Sequence, residues 1–178
     1  PFSPESPLQI DLYQALPQRE RFELILEKAT EIGVSRIIPF CSGRSITLEE
    51  RDARQRKSHR WPDLLLRAAK QCRRGTIPEL LPVLSWEEAL ADAGGADLVL
   101  ALAEREEKRR LRDIVRQGTP MRHVALWVGP EGGFEPEEQR EMDQAGFAAV
   151  SLGGRILRTE TAALAGAVMV QHLLGDLG

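Results

Sequence analysis

Two glycine-rich segments carry the residues best placed to do chemistry. The first is Gly129-Pro130-Glu131-Gly132-Gly133-Phe134, directly after the apolar run HVALWVG and before a helical stretch. In an open α/β sheet, ligands bind at the carboxyl ends of the strands, and glycine lets the backbone approach them closely. The segment is not a phosphate-cradling loop, because no Gly-Lys-Ser/Thr closes it, and its glycine spacing is not G-x-G-x-x-G. Glu131, with Glu135, Glu137 and Glu138 close behind, would compete with a bound anion for the positive end of the next helix. A neutral or cationic ligand held through backbone groups fits better. A tight turn without a ligand is the plainer alternative.

The second segment is Leu152-Gly153-Gly154-Arg155-Ile156-Leu157-Arg158-Thr159-Glu160-Thr161-Ala162, between the last strand and the last helix. If that strand is parallel, the segment faces the same sheet edge as the first. Ile156 and Leu157 can wall a pocket, and Thr159 or Thr161 can cap the helix. Arg155, Arg158 and Glu160 are charges packed into six residues; an ordinary loop with a local Arg–Glu pair is the alternative. Other candidates are weak. His59, His123 and His172 share no ligand spacing with Cys41 or Cys72, so no metal is expected. Cys72 sits on an apolar helix stripe, and Trp61, Trp86 and Trp127 read as packing residues.

The elements that must position these segments follow from periodicity. LQIDLYQAL (residues 8–16) alternates as a strand, and residues 19–32 place Phe22, Ile25, Leu26, Ala29 and Ile32 at helical spacing with Gly33 as the terminating glycine. RIIPF (36–40) is a short buried strand. Residues 49–74 are polar, then amphipathic, with Pro62 in a helical first turn. IPELLPVL (77–84) is extended, and Ser85-Trp86-Glu87-Glu88 is a capping box opening a helix to about Ala93. DLVLAL (97–102), HVALWVG (123–129) and FAAVSL (147–152) read as strands. Residues 106–117, 136–145 and 159–174 read as helices. Six strands alternating with six helices predict an α/β fold, a mostly parallel sheet with helices on both faces. The last helix carries small residues, Ala162, Ala163, Ala165, Gly166 and Ala167, which suit either a buried helix or a tight subunit contact.

The chain has 178 residues, of which 42% are hydrophobic and 29% charged, a globular composition long enough for one core. No apolar run is long enough to span a bilayer, and no membrane partner is expected. Two cysteines are too few for a disulfide scaffold, so a reducing, cytoplasmic location is expected. The net charge of −3 argues against nucleic acid at first sight. It is unevenly spread: residues 44–74 hold ten basic and four acidic side chains. That stretch is either a solvated face or a phosphate-contacting stripe.

Together the two glycine segments resemble the RsmE family of 16S ribosomal RNA uridine-N3 methyltransferases. RFELILEKATEIGVSRIIPF and AAKQCRRGTIPEL resemble further family segments, so the likeness runs from about Leu8 to Leu174. It implies the SPOUT fold with a C-terminal trefoil knot, a homodimer, and S-adenosyl-L-methionine bound in the knot. Carried over residue by residue, the resemblance implies one cofactor loop at Gly129, Pro130, Glu131 and Gly132. Leu152, Gly153, Ile156, Leu157, Arg158, Thr161 and Ala162 would form a second, and Ala101 and Leu102 a third wall. A cationic sulfonium ligand without phosphate agrees with the electrostatics above.

The substrate this implies is a specific uridine of 16S ribosomal RNA near the decoding site, within the small ribosomal subunit. Transfer to N3 requires the base to be aligned, its proton removed and the developing negative charge stabilised. Arg158 or Arg155 is expected to stabilise that charge, and Glu160 is the candidate base. Arg44, Arg73 and Arg74 are expected to contact RNA phosphates. Gln18, Gly43 and Lys70 depart from the family pattern on the presumed RNA side. Family members also carry an N-terminal PUA-type domain, so residues 1–7 are expected to be a linker remnant and residues 8–178 the methyltransferase domain. A non-catalytic RNA-binding domain of the same fold is the rival reading.

Overall fold

The structure, a computed structural model, describes residues 5–45, 58–103, 109–115 and 120–178. Its centre is one six-stranded sheet in the order β3-β2-β1-β5-β4-β6. The strands are β1 (Gln9–Ala15), β2 (Arg36–Phe40), β3 (Glu79–Leu80), β4 (Leu98–Leu102), β5 (His123–Val128) and β6 (Ala148–Val150). Every pairing is parallel, so the expected mostly parallel sheet is wholly parallel among the described residues. The helices are α1 (Arg19–Ile32), α2 (Trp61–Gln71), α3 (Trp86–Asp92), α4 (Leu111–Val115), α5 (Pro136–Gln144) and α6 (Thr159–Leu174). The bounds of α1, β2 and α6 are those expected from periodicity, and Gly33 terminates α1 at φ +98°. In the extended 77–84 stretch only two residues pair as β3. The expected 106–117 helix lies partly outside the described residues, and its described part is α4.

The alternation in β1 does not mark a half-exposed strand. All of its residues but Gln9 are buried, including Asp11 and Gln14, because helices cover both faces of this central strand. On one face Ile10, Leu12, Val124 and Leu126 pack with Phe22, Ile25, Ala163 and Ala167 of α1 and α6. On the other, Tyr13, Ile38, Phe40, Ala101 and Trp127 pack with Ala89 of α3 and Met142 of α5. Trp127 is the hub of that second layer, stacked on Tyr13 at 4.9 Å, met edge-on by Trp86 and flanked by the tilted rings of Phe40 and Phe147. The small residues of α6 serve close helix–sheet packing. A Cβ at Gly166 would lie 3.0 Å from Leu102 Cδ1 and 3.1 Å from Leu126 Cδ2.

The two sheet edges differ in chemistry. At the amino edge, Asp11 accepts from Arg36 Nη1 at 2.8 Å and meets His123 Nε2 at 2.7 Å. Arg36 also bridges to Asp92, which accepts from the Tyr13 hydroxyl at 2.6 Å. Burial, then the Asp92 carboxylate, pushes that hydroxyl well above the ordinary phenol range. These ions serve the fold. The carboxyl edge is left to loops. No helix among the described residues is long and apolar enough to cross a membrane, and none of their His, Cys, Asp and Glu groups could hold a metal ion.

Residues 5–7, expected to be linker, are fastened to this domain. The Glu5 carboxylate accepts from Arg74 Nε and Nη2 and from the Gly75 and Thr76 amides. Ser6 Oγ donates to Gln171 Oε1 at 2.9 Å. Burial alone would raise the Glu5 pKa, but Arg74 and Thr76 together hold it below the usual carboxylate value. A depressed carboxylate contributes stability above its unfolded pKa and loses it as pH falls through the folded one. Glu5→Gln is therefore expected to cost about 1–2 kcal/mol near neutral pH. The gap from wild type should close on acidifying below about pH 4. Urea denaturation across pH checks both the cost and its sign.

Candidate functional site

The carboxyl ends of β5, β4 and β6 open into a cleft of about 650 Å³, within the range of small-molecule sites. Three chain segments wall it. Ala101, Leu102 and Ala103 leave β4, residues 128–134 leave β5, and residues 149–159 leave β6. Pro136, Gln139, Met142 and Asp143 of α5 form the side wall, with Phe134 and Phe147 adding aromatic surface. The lining is therefore backbone edges and apolar carbon, with a few charges at the rim.

Parallel pairing explains the convergence. β4 pairs with both β5 and β6 in register, so all three strands deliver their following loops to one edge. After β6 at the sheet's border, the chain returns to lay α6 against α1. The return is fixed by Thr159, which is buried at the start of α6. Its Oγ1 donates to the Gly129 carbonyl at 2.6 Å and accepts from Gln14 Nε2 at 3.0 Å. Thr159 does not cap α6, as the sequence suggested: the N-cap is Arg158, and no side chain supplies a capping bond. The threonine hydroxyl is spent on joining the two glycine segments instead.

The acidic residues around the first loop are also spoken for. Glu135 and Glu138 form a reciprocal capping box on α5, and buried Glu138 also accepts from the Gly43 amide at 2.7 Å. Glu137 pairs with Arg140. Glu131 accepts from Arg21 Nη1 at 2.7 Å and from the Gln18 amide at 3.2 Å. Arginines neutralise Glu131 and Glu137, and backbone amides stabilise Glu135 and Glu138, so the expected repulsion of anions is weaker than the sequence implied.

Of the residues singled out from sequence, Ala101, Leu102, Gly129, Pro130, Glu131 and Gly132 line the cleft. So do Leu152, Gly153, Arg155, Ile156, Leu157, Arg158 and Ala162. Thr161 is exposed and outside the lining. Arg155 and Arg158 are exposed at the rim, and Ile156 is 83% exposed. Glu160, expected as the base, does not line the cleft. It turns toward α1, 14% exposed, with Oε2 3.9 Å from Arg21 Nε. One residue's advance along a helix rotates the side chain by about 100°, so Thr159 and Glu160 face different neighbours.

The three arginines expected at RNA part company. Arg44 lines the cleft and donates to the Gly132 carbonyl at 2.8 Å. Arg73 is exposed, in the left-handed region at φ +64°. Arg74 is corrected to a structural role. Its side chain is 6% exposed, and its donors reach Glu5, Thr76 and the carbonyls of Thr30 and Val34. A guanidinium has five N–H groups, and these bonds occupy them. Sequence reading missed Arg21, Gln14 and Asp143, and gave Thr159 only a capping role. No spacing or motif in the sequence signals those three, because the groups they meet lie far away along the chain.

The fold and its cleft define an α/β domain built to hold a small ligand at the carboxyl edge of a parallel sheet. Comparison with known proteins narrows this class. The model of an RNA methyltransferase domain family matches residues 4–171. A putative methyltransferase of Legionella pneumophila, solved with bound SAM, is 37% identical, with a TM-score of 0.87 over 98% of this chain and 70% of that one. Ribosomal RNA small subunit methyltransferase E of Neisseria gonorrhoeae, solved with S-adenosyl methionine, is 37% identical, with a TM-score of 0.86 over the same shares. The curated protein of that name from Mesomycoplasma hyopneumoniae is 31% identical over 88% of this chain and 66% of its own length. The one from Mycobacterium tuberculosis is 37% identical over 86% of this chain and 59% of its own length. The chain belongs to the RNA methyltransferase domain family, in the branch of the ribosomal RNA small subunit methyltransferases E. It spans a little under two thirds of the length of such curated relatives. A TrmH/SpoU tRNA modifying enzyme of A. aeolicus shares the fold alone, at 15% identity and a TM-score of 0.55.

The Thr159 hydroxyl is the joint that a substitution can test. Thr159→Val removes it and leaves Gln14 Nε2 and the Gly129 carbonyl short of a partner in a buried place. That should cost about 2–3 kcal/mol, whereas Thr159→Ser, which keeps the hydroxyl, should cost under about 1.5 kcal/mol. Denaturant midpoints for the two variants check the difference.

Proposed function

We propose that this domain binds S-adenosyl-L-methionine in the cleft and methylates N3 of a specific uridine of 16S ribosomal RNA near the decoding site. The observation that carries the reading is the convergence of three backbone-lined loops on one largely apolar cleft, with no lysine among the described residues of its lining. The residues fit the cofactor. Phe134, Met142, Phe147 and Leu157 offer apolar surface for an adenine ring, and open N–H and C=O edges from the loops suit its polar atoms. Asp143, an exposed carboxylate on the α5 wall, suits ribose hydroxyls or an ammonium group. Ala101, Leu102, Gly129, Pro130, Glu131 and Gly132 would hold the cofactor from two sides. Leu152, Gly153, Ile156, Leu157 and Ala162 would close the third.

S-adenosylmethionine supplies an electrophilic methyl group on a sulfonium cation. The protein must hold the uracil ring so that its N3 lone pair points in line with that methyl. It must also stabilise the negative charge that spreads to the uracil oxygens as the N3 proton leaves. Arg158 and Arg155, exposed at the rim, are placed to donate to those oxygens. Glu160, turned to Arg21, is not placed to accept the proton. The proton passes to solvent water at the open rim of the cleft as the sulfonium leaves as the neutral thioether. The target base lies in structured RNA and must leave its stack to reach the cleft. Arg73 would contact phosphate on the way in.

The wider reading rests on the family. The segment from residue 151 to 158 would form the threaded arm of a trefoil knot, supported by its return from the sheet border toward α1. A homodimer is supported by Leu24 of α1 and Val168 of α6, both 42% exposed on helices that pack together. Residues 1–7 would join a further RNA-holding domain, in keeping with the greater length of the relatives. The whole protein would act on the small ribosomal subunit in the cytoplasm.

Primer extension on small-subunit RNA tests this reading, because N3-methyluridine blocks the pairing edge and stops the polymerase. The stop should vanish in cells lacking the full-length gene and return with the wild-type gene. A gene carrying Arg158→Ala should restore it at least about a hundredfold more slowly. A stop that persists without the gene refutes the substrate.

A further inference from the structure

The glycine loop at residues 129–133 is gripped by two arginines that belong to neither glycine segment. Arg44 Nη1 donates to the Gly132 carbonyl at 2.8 Å. The stem of Arg44 lies against the same residue, since a Cβ at Gly132 would sit 3.2 Å from Arg44 Cδ and 3.3 Å from its Cβ. The turn that carries Arg44 is itself pinned, with the Gly43 amide donating to buried Glu138 Oε1 at 2.7 Å. From the other side, Arg21 Nη1 donates to Glu131 Oε1 at 2.7 Å. Both arginines line the cleft.

We infer that Arg21 and Arg44 are positioning residues for the cofactor: Arg44 fixes the loop backbone through Gly132, and Arg21 fixes the Glu131 carboxylate and cancels its charge. The inference rests on S-adenosylmethionine being the occupant of the cleft. Its two halves have different chemical consequences. The Gly132 carbonyl is neutral, so losing Arg44 loosens the loop without changing the charge of the wall. Losing Arg21 also exposes an unpaired carboxylate to the cleft. An unpaired carboxylate attracts the sulfonium cation of S-adenosylmethionine and not the neutral thioether of S-adenosylhomocysteine. Pairing with Arg21 therefore holds cofactor and spent product more nearly alike, which favours release of neither by charge alone. Both partners are partly exposed, at 29% and 32%, so water weakens this discrimination without abolishing it.

Calorimetric titration of the chain with S-adenosylmethionine and with S-adenosylhomocysteine tests both halves. Arg44→Ala should weaken the two ligands equally, by about tenfold. Arg21→Ala should weaken S-adenosylhomocysteine by about tenfold and S-adenosylmethionine about threefold less than that. Arg112→Ala, an exposed arginine of α4 outside the cleft, controls for loss of positive charge. Hydrogen exchange without ligand gives a second readout. The Gly133 amide, bonded to the Pro130 carbonyl at 2.9 Å, should exchange about tenfold faster in either cleft variant. Unchanged affinity and unchanged exchange in Arg44→Ala, or an unaltered ligand ratio in Arg21→Ala, overturns the corresponding half. An equal loss in Arg112→Ala overturns both. If wild type binds neither ligand yet the exchange changes, the choice of cofactor fails while the grip on the loop stands.

Discussion

One hydrogen-bonded joint decides where the site can be. Gln14 at the end of β1, Thr159 at the start of α6 and Gly129 at the end of β5 meet through a single hydroxyl. That hydroxyl has one proton to give and gives it to Gly129, so it must accept from Gln14. The joint ties three elements far apart in sequence and sets the point where the chain returning from the sheet border re-enters the domain. Everything from Leu152 to Arg158 must then bridge β6 and that point. The span crosses the carboxyl ends of the strands, which is why it becomes a wall of the cleft rather than a surface loop.

The parallel sheet makes this placement productive. Parallel strands send every following loop to one edge, and here the two edges are specialised. Ion pairs around Asp11, Arg36 and Asp92 sit at the amino edge, where they join strands to α3. At the carboxyl edge the charges belong to loops, and each carboxylate near the first loop has a local cation or amide. Burying an unpaired charge is costly. The pairing of Glu131 with Arg21 and of Glu138 with two amides lets acidic residues stand beside a ligand site without deciding its sign.

Much of this was legible in the sequence, for identifiable reasons. α1 and α6 could be bounded because apolar spacing, Gly33 and the glycine pair before Arg155 all agree. The two ligand loops were legible because glycine and apolar residues between a strand and a helix have few other uses. What failed was direction. Arg74 and Arg73 are neighbours in a basic run, and only the left-handed turn at Arg73 separates a buried guanidinium from an exposed one. Glu160 and Arg158 are two residues apart, yet the start of α6 points them to different neighbours. The alternation of residues 8–16 located β1 but not its burial: Asp11 and Gln14 break the apolar run, yet both are buried and partnered.

Arg21 shows why tertiary partners escape a reading of spacing. In RERFEL it is one charge among several on the first turn of an amphipathic helix, and its natural reading is solvated. Its importance comes from packing α1 beside α6, which brings that first turn to the loop after β5. A carboxylate in that loop is tolerable beside a ligand only because this cation arrives, and the cation arrives only because α6 is anchored at Thr159. The electrostatics of the cleft are thus set by the same hydroxyl that sets its shape. A sequence can show a glycine loop, but the charge that a ligand meets there depends on which helix closes against it.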